Sequence, residues 1–153
     1  KVLVMRLLKL RLKIHTRLKL RKADKIPYIN SGGCAIVAYG LQSYINRVSP
    51  ESKAKIVFLF VDTHYDNNQM QNLKHNNHGN CTHAVVRIGD LYYDSHGVHT
   101  YNSLKEHCYF SNTLEISPEL ALQSINKAGW NDAFDRQRDV SKINNIFGID
   151  IAA

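Results

Sequence analysis

Two β-prone runs separated by a Gly-Asp pair constrain the fold more than any other part of this sequence. The runs are residues 83–88 and 91–94, and the Gly89-Asp90 pair between them is typical of a two-residue hairpin turn. An earlier apolar run, residues 55–61, is rich in β-branched and aromatic residues and predicts a buried strand. We therefore expect a small antiparallel sheet.

Helical patterns lie on both sides of these strands. Residues 34–47 place their apolar side chains on one helical face, and the preceding residues 30–33 end in two glycines. Cys34 should therefore lie at or next to a helix N-terminus. Residues 117–127 begin with Ser-Pro, an N-cap followed by a proline at the first helical position, which predicts another helix. Together these elements predict the α+β fold class.

The rest of the C-terminal part is also expected to be helical. A short helix is expected over residues 102–107, with its N-cap at residue 102 or 103. A last helix would begin at Asn131 or Asp132 and end near Gly148. Residues 62–82 are polar, without periodicity, and predict a long loop. The side chains expected in the core here are Cys108, Trp130, Phe134, Ile143 and Phe147.

The basic residues are concentrated at one end of the chain. Residues 1–23 hold nine of the 20 Lys and Arg residues and no acid, whereas the rest of the chain holds 11 of them against all 13 acids. We therefore divide the chain into a basic N-terminal arm, residues 1–26, and a single domain, residues 27–153. The nine cations are Lys1, Arg6, Lys9, Arg11, Lys13, Arg17, Lys19, Arg21 and Lys22.

The conformation of the arm is predicted differently by its pattern and by its composition. From Leu8 to Arg21 apolar residues occupy alternate positions, which is the period of a strand. Leu, Lys, Arg and Met, however, are helix formers, and we favour a helix. The arm is expected to contact nucleic acid, an anionic surface or a partner protein, or to pack as a basic flank on the domain. No aromatic residue interleaves its cations, so stacking on single-stranded bases is not supported.

Other features bear on where the protein works. No apolar run approaches the roughly 18 residues of a membrane span, and cations interrupt every candidate core of a secretory signal. Three cysteines, an odd number, suggest a reducing compartment rather than a disulfide framework. A short, Asn-rich chain with a basic arm would suit a phage or mobile-element protein. The expected location is therefore cytoplasmic or virion-associated.

Cys34, His83 and Asp94 are the residues best placed for chemistry. Unpaired N–H groups and the dipole of a helix N-terminus favour a thiolate at Cys34. A thiolate nucleophile needs an imidazole within reach, and the imidazole needs an acceptor on its other nitrogen. The hairpin pairs residues whose numbers sum to about 179, which makes His83 and Asp94 diagonal neighbours on adjacent strands.

The motifs around these three residues resemble those of the papain-like cysteine peptidases. Asn-Ser-Gly-Gly-Cys34 opens a helix, Thr-His83-Ala-Val-Val follows on a strand, and Tyr-Tyr-Asp94-Ser on the next. The order Cys, His, Asp is shared with transglutaminase-like proteins and the bacteriocin-leader peptidases, and the resemblance covers roughly residues 28–98. It implies a helix with the nucleophile packed on an antiparallel sheet that carries His and Asp.

The resemblance also implies an activity, namely thiol-dependent hydrolysis of amide bonds in a protein or peptide substrate, or less often acyl transfer. Cys34 would be the nucleophile, His83 the general base and then acid, and Asp94 the residue that orients His83. The Cys34 backbone N–H would bind the oxyanion, with the Asn30 amide as the nearest second donor. The Gln that papain-like peptidases carry six positions before the cysteine is replaced by Tyr28. No cofactor is expected under this interpretation.

A second group of residues has the chemistry of a zinc site. His75, His78 and Cys81 lie close together in the sequence, with His83 two positions further on. Zinc bound there would compete with catalysis, because His83 cannot both bind the metal and serve as a base. His96 is an alternative base near the end of the hairpin.

Two other functions therefore stay open beside the peptidase. One is a catalytically inactive structural or binding protein on the same fold, whose basic arm makes the contacts. The other is a zinc-stabilised module that uses His75, His78 and Cys81. An unreactive Cys34 would indicate the first, and stoichiometric metal with unfolding by a chelator would indicate the second.

Overall fold

The computed structural model describes residues 1–61, 81–127 and 133–153 of the chain. Within these residues there are five α-helices and a five-stranded sheet. The helices are α1 (Val2–Asp24), α2 (Cys34–Val48), α3 (Tyr101–His107), α4 (Pro118–Lys127) and α5 (Arg136–Phe147). The strands are β1 (Lys55–Phe60), β2 (Cys81–Ile88), β3 (Leu91–Asp94), β4 (Gly97–His99) and β5 (Asn112–Ile116). A 3₁₀ turn, Pro50–Ser52, joins α2 to β1.

The sheet is antiparallel, with the strands in the order β4-β3-β2-β1-β5. The predicted hairpin is confirmed in its register, because Val86 pairs with Tyr93 and Ile88 with Leu91 around the Gly89-Asp90 turn. The sheet and the helices on either side of it confirm the α+β fold class, with an N-terminal helix and C-terminal helices.

Two strands occupy positions where the sequence predicted something else. The hairpin strand β3 ends at Asp94, but the chain then turns back and a further strand, β4, which begins at Gly97 (φ +124°), pairs with β3. The expectation of helix alone beyond the hairpin is wrong, because β5 pairs with β1 at the edge of the sheet. Only Leu114 and Ile116 of β5 turn inward, so a five-residue edge strand shows little apolar alternation.

The helix boundaries follow from hydrogen bonds at their caps. The side chain of Thr100, one residue before α3, accepts a hydrogen bond from the Ser103 N–H, so the predicted cap was too late. Helix α4 spans the residues predicted for it. Helix α5 starts after Asp135, whose carboxylate accepts from the Arg138 N–H, and not at residues 131–132, which lie outside the described residues. Gly148 ends α5 in a left-handed conformation.

Packing divides into two clusters, one on each face of the sheet. The larger cluster lies under α1, α2, α4 and α5, and the predicted core residues Phe134, Ile143 and Phe147 belong to it. The smaller one comprises Val57, Leu59, Val85, Leu104 and Phe110, with Cys108 partly buried against it. Trp130 and residues 62–80 of the predicted loop lie outside the described residues, and β2 already begins at Cys81.

The basic arm is helical, as its composition predicted. Only Thr16, Leu20 and Ala23 of α1 are buried, and Lys19 donates a hydrogen bond from Nζ to the Ile146 carbonyl at 2.7 Å. The C-terminal half of α1 therefore packs on the domain, whereas the first half is exposed. No helix in the described ranges is both long enough and apolar enough to cross a membrane.

Candidate active site

Five elements meet at one end of the sheet, and they bring together the residues that were predicted to be catalytic. At this end β2 begins and β3 finishes, since the two strands are antiparallel. Cys34 is the first residue of α2, and His107 is the last residue of α3. The short turn between β3 and β4 adds Ser95 and His96. The result is a cluster of the Cys34 thiol, the Asp94 carboxylate and several imidazoles.

His83 and Asp94 form a direct hydrogen bond. His83 Nε2 donates to Asp94 Oδ2 at 2.9 Å, and both side chains are buried. The register explains this contact, because Val86 pairs with Tyr93 and the ladder continued by one step sets Val85 against Asp94. The bond fixes the tautomer of His83, so its other nitrogen, Nδ1, is the one left for a further partner.

A β-bulge at the beginning of β2 sets the orientation of the His83 side chain. The pairing of β1 with β2 shifts by one residue, so that Leu59 pairs with His83 but Phe60 pairs with Cys81. Thr82 is the extra residue, and its Oγ1 donates to the carbonyls of Leu59 and Tyr109. Such a bulge re-aims side chains at the rim of a sheet.

The Cys34 thiol lies close enough to the His83 ring to affect the pKa of the imidazole. Burial by itself lowers the pKa of the His83 imidazole, but hydrogen bonds to Asp94 and Cys34 and the charges of both groups raise it to about 9. An imidazole with this pKa is protonated at neutral pH. The site therefore favours an imidazolium that is hydrogen-bonded to the Asp94 carboxylate.

Asp94 is held by three donors from different parts of the site. Besides His83, His99 Nε2 donates to Oδ1 at 2.9 Å, and the His96 backbone N–H donates to the same oxygen at 3.0 Å. Burial alone would raise the pKa of Asp94, but the hydrogen bonds and charges of His83 and His99 lower it to about 2. The carboxylate is therefore ionised throughout the physiological range.

Cys34 is positioned by a close approach of backbone to backbone. A Cβ on Gly33 would lie 2.7 Å from the Ile29 carbonyl oxygen, so only glycine allows α2 to begin there. No side chain of the described residues caps α2, so the N–H groups of its first turn have no capping side chain at the end that carries Cys34. Cys34 itself is only 4% exposed.

Asn30 lies beside the turn between β3 and β4. Its Nδ2 donates to Ser95 Oγ at 2.8 Å, and the Ser95 hydroxyl donates back to Asn30 Oδ1 at 3.0 Å. The same amide nitrogen lies 3.3 Å from His96 Nδ1. In this structure Asn30 therefore fastens the loop before α2 to the turn that carries His96, and its role as an oxyanion donor stays a prediction.

Two histidines of the cluster were not predicted as site residues. His99 is buried and bonded to Asp94, and the ring of His107 stacks on it with centroids 5.1 Å apart. His107 Nε2 also lies 3.1 Å from His96 Nδ1. Burial and the charges of the neighbouring imidazoles lower the pKa of His107, against the opposing effect of Asp94.

The other two cysteines differ from Cys34 in their surroundings. Cys81 donates its S–H to the His83 carbonyl at 3.5 Å, and burial raises its pKa. Burial, followed by the charges of Asp94 and Cys34, raises the pKa of Cys108 to about 11. Both thiols therefore stay protonated at neutral pH.

Several of these residues have the chemistry of metal ligands. Ligand atoms of Asp94, His96 and His107 all lie within 4.8 Å of one another, as do those of His83, Asp94 and Cys108. Of the zinc group predicted from the sequence, His75 and His78 lie outside the described residues, and only Cys81 can be placed.

Comparisons with models of protein families, with curated proteins and with solved structures gave no match to this chain.

Proposed function

We propose that this chain is a cysteine peptidase of the papain-like type, in which Cys34, His83 and Asp94 hydrolyse an amide bond. The observation that carries the proposal is the position of His83, which is bonded through Nε2 to Asp94 at 2.9 Å and lies within reach of the Cys34 thiol. A buried carboxylate, an imidazole and a thiol at a helix start are the parts that nucleophilic thiol catalysis requires.

In the first step the Cys34 thiolate attacks the carbonyl carbon of the substrate, and an S–C bond forms. The carbonyl π electrons move to oxygen, and the backbone N–H of Cys34 at the start of α2 stabilises the resulting oxyanion. As the tetrahedral intermediate collapses, the C–N bond breaks and the His83 imidazolium gives its proton to the leaving amine. A thioester on Cys34 remains.

In the second step water hydrolyses the thioester. His83, now neutral, takes a proton from the attacking water, and the C–S bond breaks to release the carboxylic acid and the thiolate. Asp94 keeps the imidazole oriented in both steps, and the His99 hydrogen bond keeps Asp94 itself in place. An amine in place of water would give acyl transfer by the same route.

The first test is the pH dependence of alkylation, followed by mass spectrometry for each cysteine. At pH 6 a free thiol with a pKa of about 8.5 is well under about 1% thiolate, whereas an imidazolium-paired thiol stays reactive. We expect iodoacetamide to modify Cys34 at least about tenfold faster than Cys81 and Cys108, whose raised pKa values make them internal controls.

The matched variants are His83→Ala, which removes the paired imidazole, and His15→Ala, which removes an exposed one on α1. We expect the first to abolish fast alkylation of Cys34 at pH 6 and the second to leave it unchanged. Equal reactivity of Cys34 with and without His83 would exclude the peptidase mechanism.

A second candidate, an inactive protein on this fold, is favoured by one observation, the 4% exposure of Cys34. The two candidates differ in turnover. Release of new amino groups from a denatured protein substrate, lost in Cys34→Ala, would support the peptidase. Fast alkylation without any turnover on a broad peptide library would favour the inactive binding protein.

A further inference from the structure

The turn between β3 and β4 and the end of α3 bring two exposed imidazoles next to the buried Asp94 carboxylate. His96 Nδ1 and His107 Nε2 are 3.1 Å apart, and ligand atoms of both lie within 4.8 Å of an Asp94 oxygen. Ligands 2.0–2.1 Å from a tetrahedral zinc ion are separated by roughly 3.3 Å. The spacing of the two imidazoles is therefore already close to that of a metal site.

We propose that Asp94, His96 and His107 bind a divalent transition-metal ion of the Zn²⁺ class, and that the bound ion inhibits the thiol site. Two imidazoles and one carboxylate form a ligand set suited to Zn²⁺, with a fourth position left for water. This site is distinct from the zinc site predicted on His75, His78 and Cys81.

The surroundings of the two imidazoles preorganise them. The His107 ring stacks on His99 at 5.1 Å and meets the edge of the His96 ring at 4.6 Å, while Asn30 contacts the His96 ring. His96 and His107 are both exposed, so an ion can reach them from solvent although Asp94 is buried. Contacts of this kind orient ligands in known metal sites.

Inhibition follows because Asp94 is shared between the two sites. The carboxylate orients His83 through Oδ2, and an ion on Asp94 would withdraw charge from that hydrogen bond. The metal would therefore weaken the support of His83 without touching Cys34. This half of the inference rests on the proposed peptidase function, whereas metal binding does not.

The binding test uses the full chain with Cys34→Ser, so that zinc cannot bind a Cys34 thiolate. Apo protein is titrated with Zn²⁺ against a chromophoric chelator, and with Co²⁺ for its visible absorption. We expect one equivalent of Zn²⁺ and a Co²⁺ spectrum typical of tetrahedral nitrogen and oxygen ligands. His107→Ala should weaken binding by at least about tenfold, and His15→Ala should leave it unchanged.

Other outcomes would overturn the metal site. Stoichiometric zinc that is lost in a His75→Ala/His78→Ala double variant would locate the metal on the preceding segment. Zinc bound only when Cys34 is present would locate it on the thiol, and equal affinity with and without His107 would exclude that ligand.

The inhibition test compares the rate of Cys34 alkylation with and without Zn²⁺ in the wild-type protein and in His107→Ala. We expect Zn²⁺ to slow alkylation of the wild-type protein severalfold and to lose this effect in His107→Ala. Equal inhibition in both proteins would mean that zinc acts directly at the thiol. If His83→Ala leaves alkylation unaltered while Zn²⁺ still binds through His107, the peptidase proposal fails and the metal site stands.

Discussion

Helices α1 and α2 follow each other in the chain, yet they are held in the fold in different ways. Nine of the 15 residues of α2 are buried, against three of the 23 residues of α1. The apolar residues of α2 recur at helical spacing, whereas those of α1 alternate with cations and spread around the helix. Tertiary packing thus stabilises α2, and the first half of α1 depends on the helix propensity of Leu, Lys and Arg.

The exposed side of α1 nevertheless has an ordered apolar row. Five residues at spacings of three and four form a stripe on the side away from the buried Thr16 and Leu20, and their side chains are 49–69% exposed. They are Leu3, Leu7, Leu10, Ile14 and Leu18. In α2 a comparable row is covered by the sheet and by α5.

The largest contrast between the two helices should appear when packing on α2 is removed. Phe147 of α5 lies against Gly40 of α2, where an added Cβ would meet the phenyl ring at 2.7 Å. We expect Phe147→Ala to lower the free energy of unfolding by about 3–5 kcal/mol, because it opens a cavity at the contact of the two helices. Urea denaturation measures the loss. A cost below about 1 kcal/mol would show that this contact does not hold α2 in place.

The site at the start of α2 should make stability depend on pH. Asp94 has a pKa of about 2, below the 3.8 of an ordinary aspartate, so its contribution is present above pH 3.8 and is lost as pH falls through about 2. His83 has its pKa raised from 6.5 to about 9, so its contribution is complete below pH 6.5 and is lost as pH rises through about 9. We expect unfolding to cost about 1–3 kcal/mol less at pH 9.5 than at pH 6.

Urea midpoints across this range measure the pH effect, and Asp94→Asn is the variant that isolates its source. Without the carboxylate charge the stability difference between pH 6 and pH 9.5 should shrink. Equal stability of the wild-type protein at the two pH values would contradict a His83 imidazolium held in the folded state.

A smaller effect is expected where α2 begins. Gly33→Ala would place a Cβ 2.7 Å from the Ile29 carbonyl oxygen, so the backbone has to move. We expect a loss of about 1–3 kcal/mol and slower alkylation of Cys34 at pH 6, because the helix start that carries the thiol is displaced. Ser31→Ala, in the same loop with an exposed side chain, is the control. Unchanged alkylation in Gly33→Ala would show that the exact helix start does not matter.

The smallest effect belongs to the exposed half of α1. Leu10→Ala removes a side chain that is 54% exposed and should change the free energy of unfolding by less than about 0.5 kcal/mol. Urea denaturation of Leu10→Ala and Phe147→Ala under the same conditions compares the two losses in the free energy of unfolding directly. A loss above about 1 kcal/mol would mean that this part of α1 packs in solution against a surface, and the contrast between the two helices would fail.

Much of the sheet could be predicted because its signals are local. The Gly89-Asp90 turn sets the register of β2 and β3, and that register brings His83 to Asp94. The start of α2 at Cys34 follows from the glycines before it. These features need only the neighbouring residues, since turn chemistry and hydrophobic periodicity act over a few positions.

What could not be predicted depends on contacts between distant segments. Strand β5 forms because β1 offers a free edge, and its own residues are mostly exposed. His107 reaches His96 through the docking of α3, which no short pattern records. His99 could have been found, since the tight turn between Asp94 and Gly97 makes His99 a diagonal neighbour of Asp94, as His83 is on the other side.

Asp94 lies on the middle strand of three and gives one oxygen to each neighbour. Oδ2 accepts from His83 on β2, and Oδ1 accepts from His99 on β4. Rotation of the carboxylate about its Cβ–Cγ bond would break both hydrogen bonds at once, so this torsion is locked from two sides. The two imidazole rings are therefore coupled through one carboxylate, and we expect a displacement of β4 at the sheet edge to alter the orientation of His83.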